Sequence, residues 1–175
     1  MNEGAILETQ RLSLRKLNLK DADFILRLVN TPPWLAFIGD KNVKSIDDAR
    51  NYLETGPLKS YEANGFGLWL VELKESNAPI GICGLINRDA LEDIDIGFAI
   101  LPEFFQLGYG YEMANATMGY AKNILKIDKV IAIVSLNNLA SMKLLNKMGL
   151  YFDRNIELVP GDPVQVFSES NENLK

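Results

Sequence analysis

The sequence contains no histidine in 175 residues. That absence removes the Ser-His-Asp and Cys-His constellations and the commonest zinc ligand. Acid–base work must fall to carboxylates, tyrosine, hydroxyls, the thiol or relayed water. The single cysteine, Cys83, excludes an internal disulfide framework and a multi-cysteine metal site. No metal is expected. No window approaches roughly 18 consecutive apolar residues, so no membrane-spanning helix is expected. The opening MNEGAILETQ has neither a basic region nor an apolar signal core, and a cytoplasmic location is expected. A net charge of −5 argues against broad nucleic-acid binding and leans toward cationic partners.

What is present describes an ordinary globular chain, 47% apolar and 23% charged. One domain over 1–175 is expected, with a frayed tail at 169–175. Residues 11–17 alternate as a strand, and 18–29 carry Leu19, Ala22, Ile25, Leu26 and Val29 at helical spacing before a TPP stop. The apolar stretch WLAFIGDKN reads as a loop. Ser45, with Asp47 and Asp48 in the first turn, starts a second helix, and a short helix follows at 57–64. Strands are expected at 65–73, 79–88 and 93–101, the first two as a hairpin. Helices at 109–126 and 138–148 alternate with strands at 129–134, 150–158 and 163–168. The fold class is therefore mixed α/β of the α+β type, with a largely antiparallel central sheet of six to seven strands flanked by helices.

Between the 93–101 strand and the next helix lies PEFFQLGYGYEMANA, with Gly108 and Gly110 at the junction. A glycine-bearing turn at a helix N-terminus presents free N–H groups to an anion. The Rossmann pattern fails because Met113 occupies the third glycine slot, and the Lys-Ser/Thr of a P-loop is missing. A nucleotide-binding protein of another fold is disfavoured on both counts.

The later Asn138-Leu-Ala-Ser141 run, closed by Lys147-Met148-Gly149-Leu150, adds a second element. With Phe105-Gln106-Leu107-Gly108-Tyr109-Gly110, the opening Thr9-Gln10-Arg11 strand and Asp21-Ala22, it resembles the GNAT N-acetyltransferase superfamily, in its branch of ribosomal-protein N-terminal acetyltransferases. The resemblance covers about residues 7–158. It departs from the superfamily at Phe105, where Arg or Gln is common. It departs again at Leu145, in the slot where many members place a tyrosine as general acid.

The resemblance implies acetyl-CoA as co-substrate and direct attack in a ternary complex by a primary amine: a protein N-terminus, a polyamine or a small amine. It implies cofactor contacts from Phe98, Ala99, Ile100 and Leu101 along the strand, from Gln106, Leu107, Gly108, Tyr109, Gly110 and Tyr111 in the loop, and from Asn138 and Ser141. Asp95, Gly97 and Ala99 form a face of the 93–101 strand nearly bare of side chains, along which a pantetheine arm could lie. Asp95, with Asp93 as fallback, is the candidate general base, and Ser141 the candidate donor to the departing sulfur. Glu112 reads as a carboxylate favoured by the helix dipole, and Cys83 as an inert buried thiol. Trp34 and Phe37 are candidates for the acceptor wall. No nucleic-acid or membrane partner is expected, and the protein is expected as a monomer or homodimer. The alternative is a catalytically silent module that binds acetyl-CoA.

Overall fold

A computed structural model describes residues 4–169. The chain forms β1 (Ala5–Glu8), β2 (Leu12–Lys16), α1 (Ala22–Leu28), α2 (Pro32–Phe37), α3 (Ile46–Leu53), α4 (Lys59–Asn64), β3 (Leu68–Leu73) and β4 (Pro79–Ile86). It continues through β5 (Ile94–Ile100), α5 (Tyr109–Asn123), β6 (Val130–Ser135), α6 (Leu139–Lys147), β7 (Leu150–Val159) and β8 (Asp162–Glu169). The eight strands lie in the order β1-β2-β3-β4-β5-β6-β8-β7. Every neighbouring pair is antiparallel except β5 and β6, which run parallel.

Alternation along the strands divides the core between two faces. Trp69, Val71, Cys83, Leu85 and Ile96 pack with Met113, Ala114, Met118 and Ala121 of α5. Leu70, Ile82 and Leu101 pack on the opposite face with Ile25, Leu28, Trp34, Ala49 and Leu53 of α1, α2 and α3. The sheet is thus covered on both sides, as its apolar central strand requires.

Three elements differ from the sequence expectation. The strand count rises to eight because Ala5–Glu8 pairs with β2; four residues of intermediate burial give little pattern to read. The WLAFIGDKN region begins as a helix, because TPP ends α1 and also starts α2. Proline fits a first helical turn, where its missing N–H has no acceptor to find. The two helices expected at 45–52 and 57–64 are α3 and α4, joined by a π-helical turn over Glu54–Leu58. Pro57 sits inside that turn, where a standard i→i−4 donor is lacking. Of the expected tail, Glu169 belongs to β8, and 170–175 lie outside the described residues.

Candidate active site

The parallel pair β5–β6 holds only two rungs, Ile94 with Val130 and Asp95 with Ile131. Beyond Asp95 the strands separate, while β5 stays in continuous register with β4 from Asp95 to Ile100. Among the described residues no strand pairs with the β6-facing edge of β5 past that point. The Leu101 N–H donates to the Ile80 carbonyl on the β4 side. With a period of two, Phe98 and Ile100 therefore turn their N–H and C=O groups into the opening. Of the other two expected cofactor contacts, Ala99 pairs with Ile82 of β4, and Leu101 gives its N–H to β4 while its carbonyl accepts from the Phe104 N–H.

The side-chain face of β5 read as a bare track is crowded at Gly97 by a neighbouring strand. A Cβ on Gly97 would lie 2.8 Å from Cδ1 of Ile86, so a neighbouring side chain already fills that space. On that face Asp95 is buried, while Gly97 and Ala99 are half-buried, as are Phe98 and Ile100.

At the far end of β5 a short 3-10 turn, Pro102–Phe104, leads into the glycine loop. Gln106 and Gly108 both adopt left-handed conformations, with φ of 61° and 83°. Gly108 is the N-cap of α5 and supplies no side-chain cap. The first intrahelical bond is Glu112 N–H to Gly108 C=O, so the N–H groups of Tyr109, Gly110 and Tyr111 have no acceptor within the helix. These three donors stand at the positive end of α5, an arrangement that favours an anion. The glycines serve packing as well as access. A Cβ on Gly110 would lie 3.0 Å from Leu144 Cδ1 of α6, and one on Gly108 would lie 3.3 Å from Arg11 Nη2.

Sequence reasoning missed what holds this loop. The Arg11 guanidinium donates through Nε to Glu112 Oε2 at 2.7 Å and through Nη1 to the Leu107 carbonyl at 3.0 Å. Its backbone N–H and the Thr9 hydroxyl both donate to Glu112 Oε1, at 2.9 and 2.6 Å. The guanidinium also lies 4.3 Å from the Tyr109 ring centroid. Burial alone would raise the Glu112 carboxyl, but donors from Thr9 and Arg11 and the arginine charge outweigh it and hold it below the usual glutamate value. Glu112 is therefore a fastener between the β1–β2 turn and α5, beyond a carboxylate favoured by the dipole. Beside it Lys147 Nζ lies 4.3 Å from the Tyr111 ring centroid, and a groove runs past Gln10, Tyr111, Asn115 and Lys147.

α6 starts just after β6 ends. The Asn138 side chain caps it by accepting from the Ser141 N–H at 3.1 Å, so that oxygen is already engaged. The Ser141 hydroxyl has no hydrogen-bond partner among the described residues. Leu145, in the slot of the family's tyrosine, is fully buried in the core.

The candidate bases differ in setting. Asp95 occupies the last rung before the strands part, and it is only 1% exposed. Arg88 grips it through Nε at 2.9 Å and Nη2 at 3.3 Å. Burial pushes its carboxyl above the ordinary aspartate value, with the arginine opposing. Asp93 lies outside the strand and pairs with Lys129 at 2.7 Å. Cys83 is buried against the Thr117 hydroxyl at 3.2 Å, and burial pushes its thiol up to about 12, so it stays protonated and inert.

Of the two expected wall residues, Trp34 is a core residue, 4% exposed, whose indole N–H has no acceptor among the described residues. Phe37 is exposed, and its carbonyl accepts from the Ser135 hydroxyl at 3.1 Å, which fastens the end of α2 to the end of β6 beside the opening.

A profile of the acetyltransferase (GNAT) domain matches residues 11–151. The uncharacterized N-acetyltransferase YoaA of Bacillus subtilis is 30% identical over 145 residues, covering 82% of this chain and 81% of its own. Among solved structures, RimL, a ribosomal L7/L12 alpha-N-protein acetyltransferase in complex with coenzyme A, superposes with a TM-score of 0.79. The two are 16% identical, over 94% of this chain and 97% of that one. A chimera of the spermidine N-acetyltransferase SpeG from Vibrio cholerae gives 0.73 at 21% identity, over 90% and 94%. Those two share the fold; the domain profile and the relative at 30% identity carry the assignment, and the chain belongs to the GNAT acetyltransferase family.

Proposed function

We propose that the protein transfers the acetyl group of acetyl-CoA to a primary amine by direct attack within a ternary complex. The observation that carries this reading is the opening between β5 and β6, lined on one side by the free backbone groups of Phe98 and Ile100 and leading to the α5 N-terminus. A pantetheine amide would complete the β5 edge as an added strand does, and the pyrophosphate would rest on the N–H groups of Tyr109, Gly110 and Tyr111. Gln106 and Leu107 shape the loop beneath it. Asn138 would act by capping the helix that presents Ser141.

The amine lone pair attacks the thioester carbonyl carbon, the carbon–sulfur bond breaks, and the thiolate departs. The attacking nitrogen must shed a proton, for which Asp95 is the candidate acceptor through water. Its raised carboxyl pKa suits that task better than an ordinary aspartate would. The free Ser141 hydroxyl is the candidate donor to the departing sulfur, since Leu145 supplies none.

Calorimetric titration with acetyl-CoA, followed by release of free CoA thiol across a panel of amines, tests the proposal. Binding with turnover is expected. The buried Leu145 favours one other reading, a module that binds acetyl-CoA without catalysis, and binding with no turnover of any amine would select it.

A further inference from the structure

We infer that the acceptor is a monoamine carrying an apolar substituent, and not a di- or polyamine. The inference rests on the acetyl-transfer reading above and specifies its second substrate. Two independent features of the opening carry it, one apolar and one electrostatic.

The apolar feature is the wall fastened there by the Ser135–Phe37 hydrogen bond. Phe37 and Ile38, at the end of α2, are 38% and 43% exposed although α2 is anchored from below by buried Trp34. Leu136 and Leu139, in the turn from β6 into α6, are 42% and 64% exposed. Four large apolar side chains thus stand in solvent on the two segments that the hydrogen bond holds together. Such a surface next to a reacting site gains by covering itself with an apolar ligand group.

The electrostatic feature is that the acidic residues of the three segments framing the opening are all ion-paired. The segments that frame the opening are 32–44, 93–108 and 130–147, and their acidic residues are Asp40, Asp93, Asp95 and Glu103. Each is ion-paired: Asp40 with Lys44 at 3.0 Å, Asp93 with Lys129 at 2.7 Å, Asp95 with Arg88 at 2.9 Å, and Glu103 with Arg27. A second ammonium held against these three segments would be drawn from water with no unpaired carboxylate among them to meet it; Asp162 of β8, two residues from the Val164 that pairs with Ser135, lies outside them. At best it would displace a resident cation, exchanging one pair for another. A polyamine therefore gains nothing from its extra charges, whereas an alkyl or aryl group gains from burial.

Two sources share this chemistry, a free arylalkylamine and a peptide whose first residue is apolar. The test compares kcat/KM for phenethylamine, hexylamine, putrescine, spermidine, and short peptides beginning with phenylalanine or with aspartate. The apolar monoamines or the phenylalanine peptide are expected to exceed spermidine by at least about tenfold. Whichever of those two classes leads identifies the source. The double variant Phe37→Ser, Ile38→Ser is expected to remove most of that advantage while leaving the KM for acetyl-CoA unchanged. Leu136→Ser provides a second probe should the double variant unfold. Preference for spermidine or putrescine, or an apolar preference untouched by both variants, overturns the inference and leaves acetyl transfer standing. Turnover of no amine despite acetyl-CoA binding overturns the transfer reading and this one with it.

Discussion

Arg11 and Glu112 stand 101 positions apart in sequence, and the guanidinium of one meets the carboxylate of the other at 2.7 Å. Through that contact the β1–β2 turn grips the first turn of α5. The same arginine bonds the Leu107 carbonyl and so ties down that oxygen of the glycine loop. Arg11→Met is expected to raise the KM for acetyl-CoA several-fold or more while changing kcat little. The pair is partly exposed, so its loss is expected to cost no more than about 1 kcal/mol of stability by denaturant titration. A large stability loss with unchanged acetyl-CoA affinity would assign Arg11 a purely structural role.

Glu112 gives this fastening a pH signature. Its folded-state carboxyl lies below the usual value, so the unfolded chain takes up the proton first as pH falls. The stabilisation is present above the ordinary glutamate range and is lost as pH drops through the folded value. The difference in Tm between wild type and Glu112→Gln is expected to be constant near neutrality, to shrink below the ordinary glutamate range and to vanish in acid below the lowered folded-state value. A difference that persists there would mean that shape, not charge, holds the contact.

Much of the site was legible because it depends on local sequence. The glycine turn at the start of α5 and the β5 alternation are each encoded within a dozen residues, and each formed where expected; Asn138, expected as a cofactor contact, caps α6 instead. The grip of Arg11 on Glu112 is not local, since neither residue's neighbours name the other. The opening itself depends on where two parallel strands stop pairing, and Ile96 to Ile100 read as an ordinary strand whether or not β6 follows them. The two faces of β5 were separated correctly, but Ile86, whose tip crowds the space at Gly97, comes from the adjacent strand. Trp34 and Phe37 looked equivalent in a stretch read as loop; only the helix shows that one points inward and the other stays exposed.

Ser141 and Cys83 provide opposite expectations. Ser141→Ala is expected to lower kcat while holding the KM for acetyl-CoA within a few-fold, because a hydrogen bond to a developing thiolate acts in the transition state. Cys83→Ala is expected to keep full turnover and lose stability, as removal of a buried side chain does, by about 1–3 kcal/mol. Loss of turnover in a folded Cys83→Ala protein would point instead to a covalent acetyl-enzyme.

Asp95 carries the strongest commitment. It occupies the last β5–β6 rung, so its backbone marks the point from which the opening widens. Its buried carboxyl is raised above the ordinary aspartate value, which brings a base closer to working pH, and Arg88 fixes its orientation. The acid limb of the pH–rate profile is therefore expected above the ordinary aspartate range. Asp95→Asn is expected to reduce turnover near neutral pH by about 10²-fold or more. The loss should shrink at high pH, where more of the amine is already neutral. Folding gives an independent check with its own sign. A raised folded-state pKa contributes stability below the unfolded value and loses it as pH rises through the folded one. Asp95→Asn should therefore be least damaging to Tm near neutrality, where the buried wild-type charge is costliest, although it leaves Arg88 without its anion. Asp93→Asn, which disturbs only the pair with Lys129, is expected to keep the wild-type profile. If Asp95→Asn keeps it too, the proton leaves by another route, or the enzyme binds amines already deprotonated.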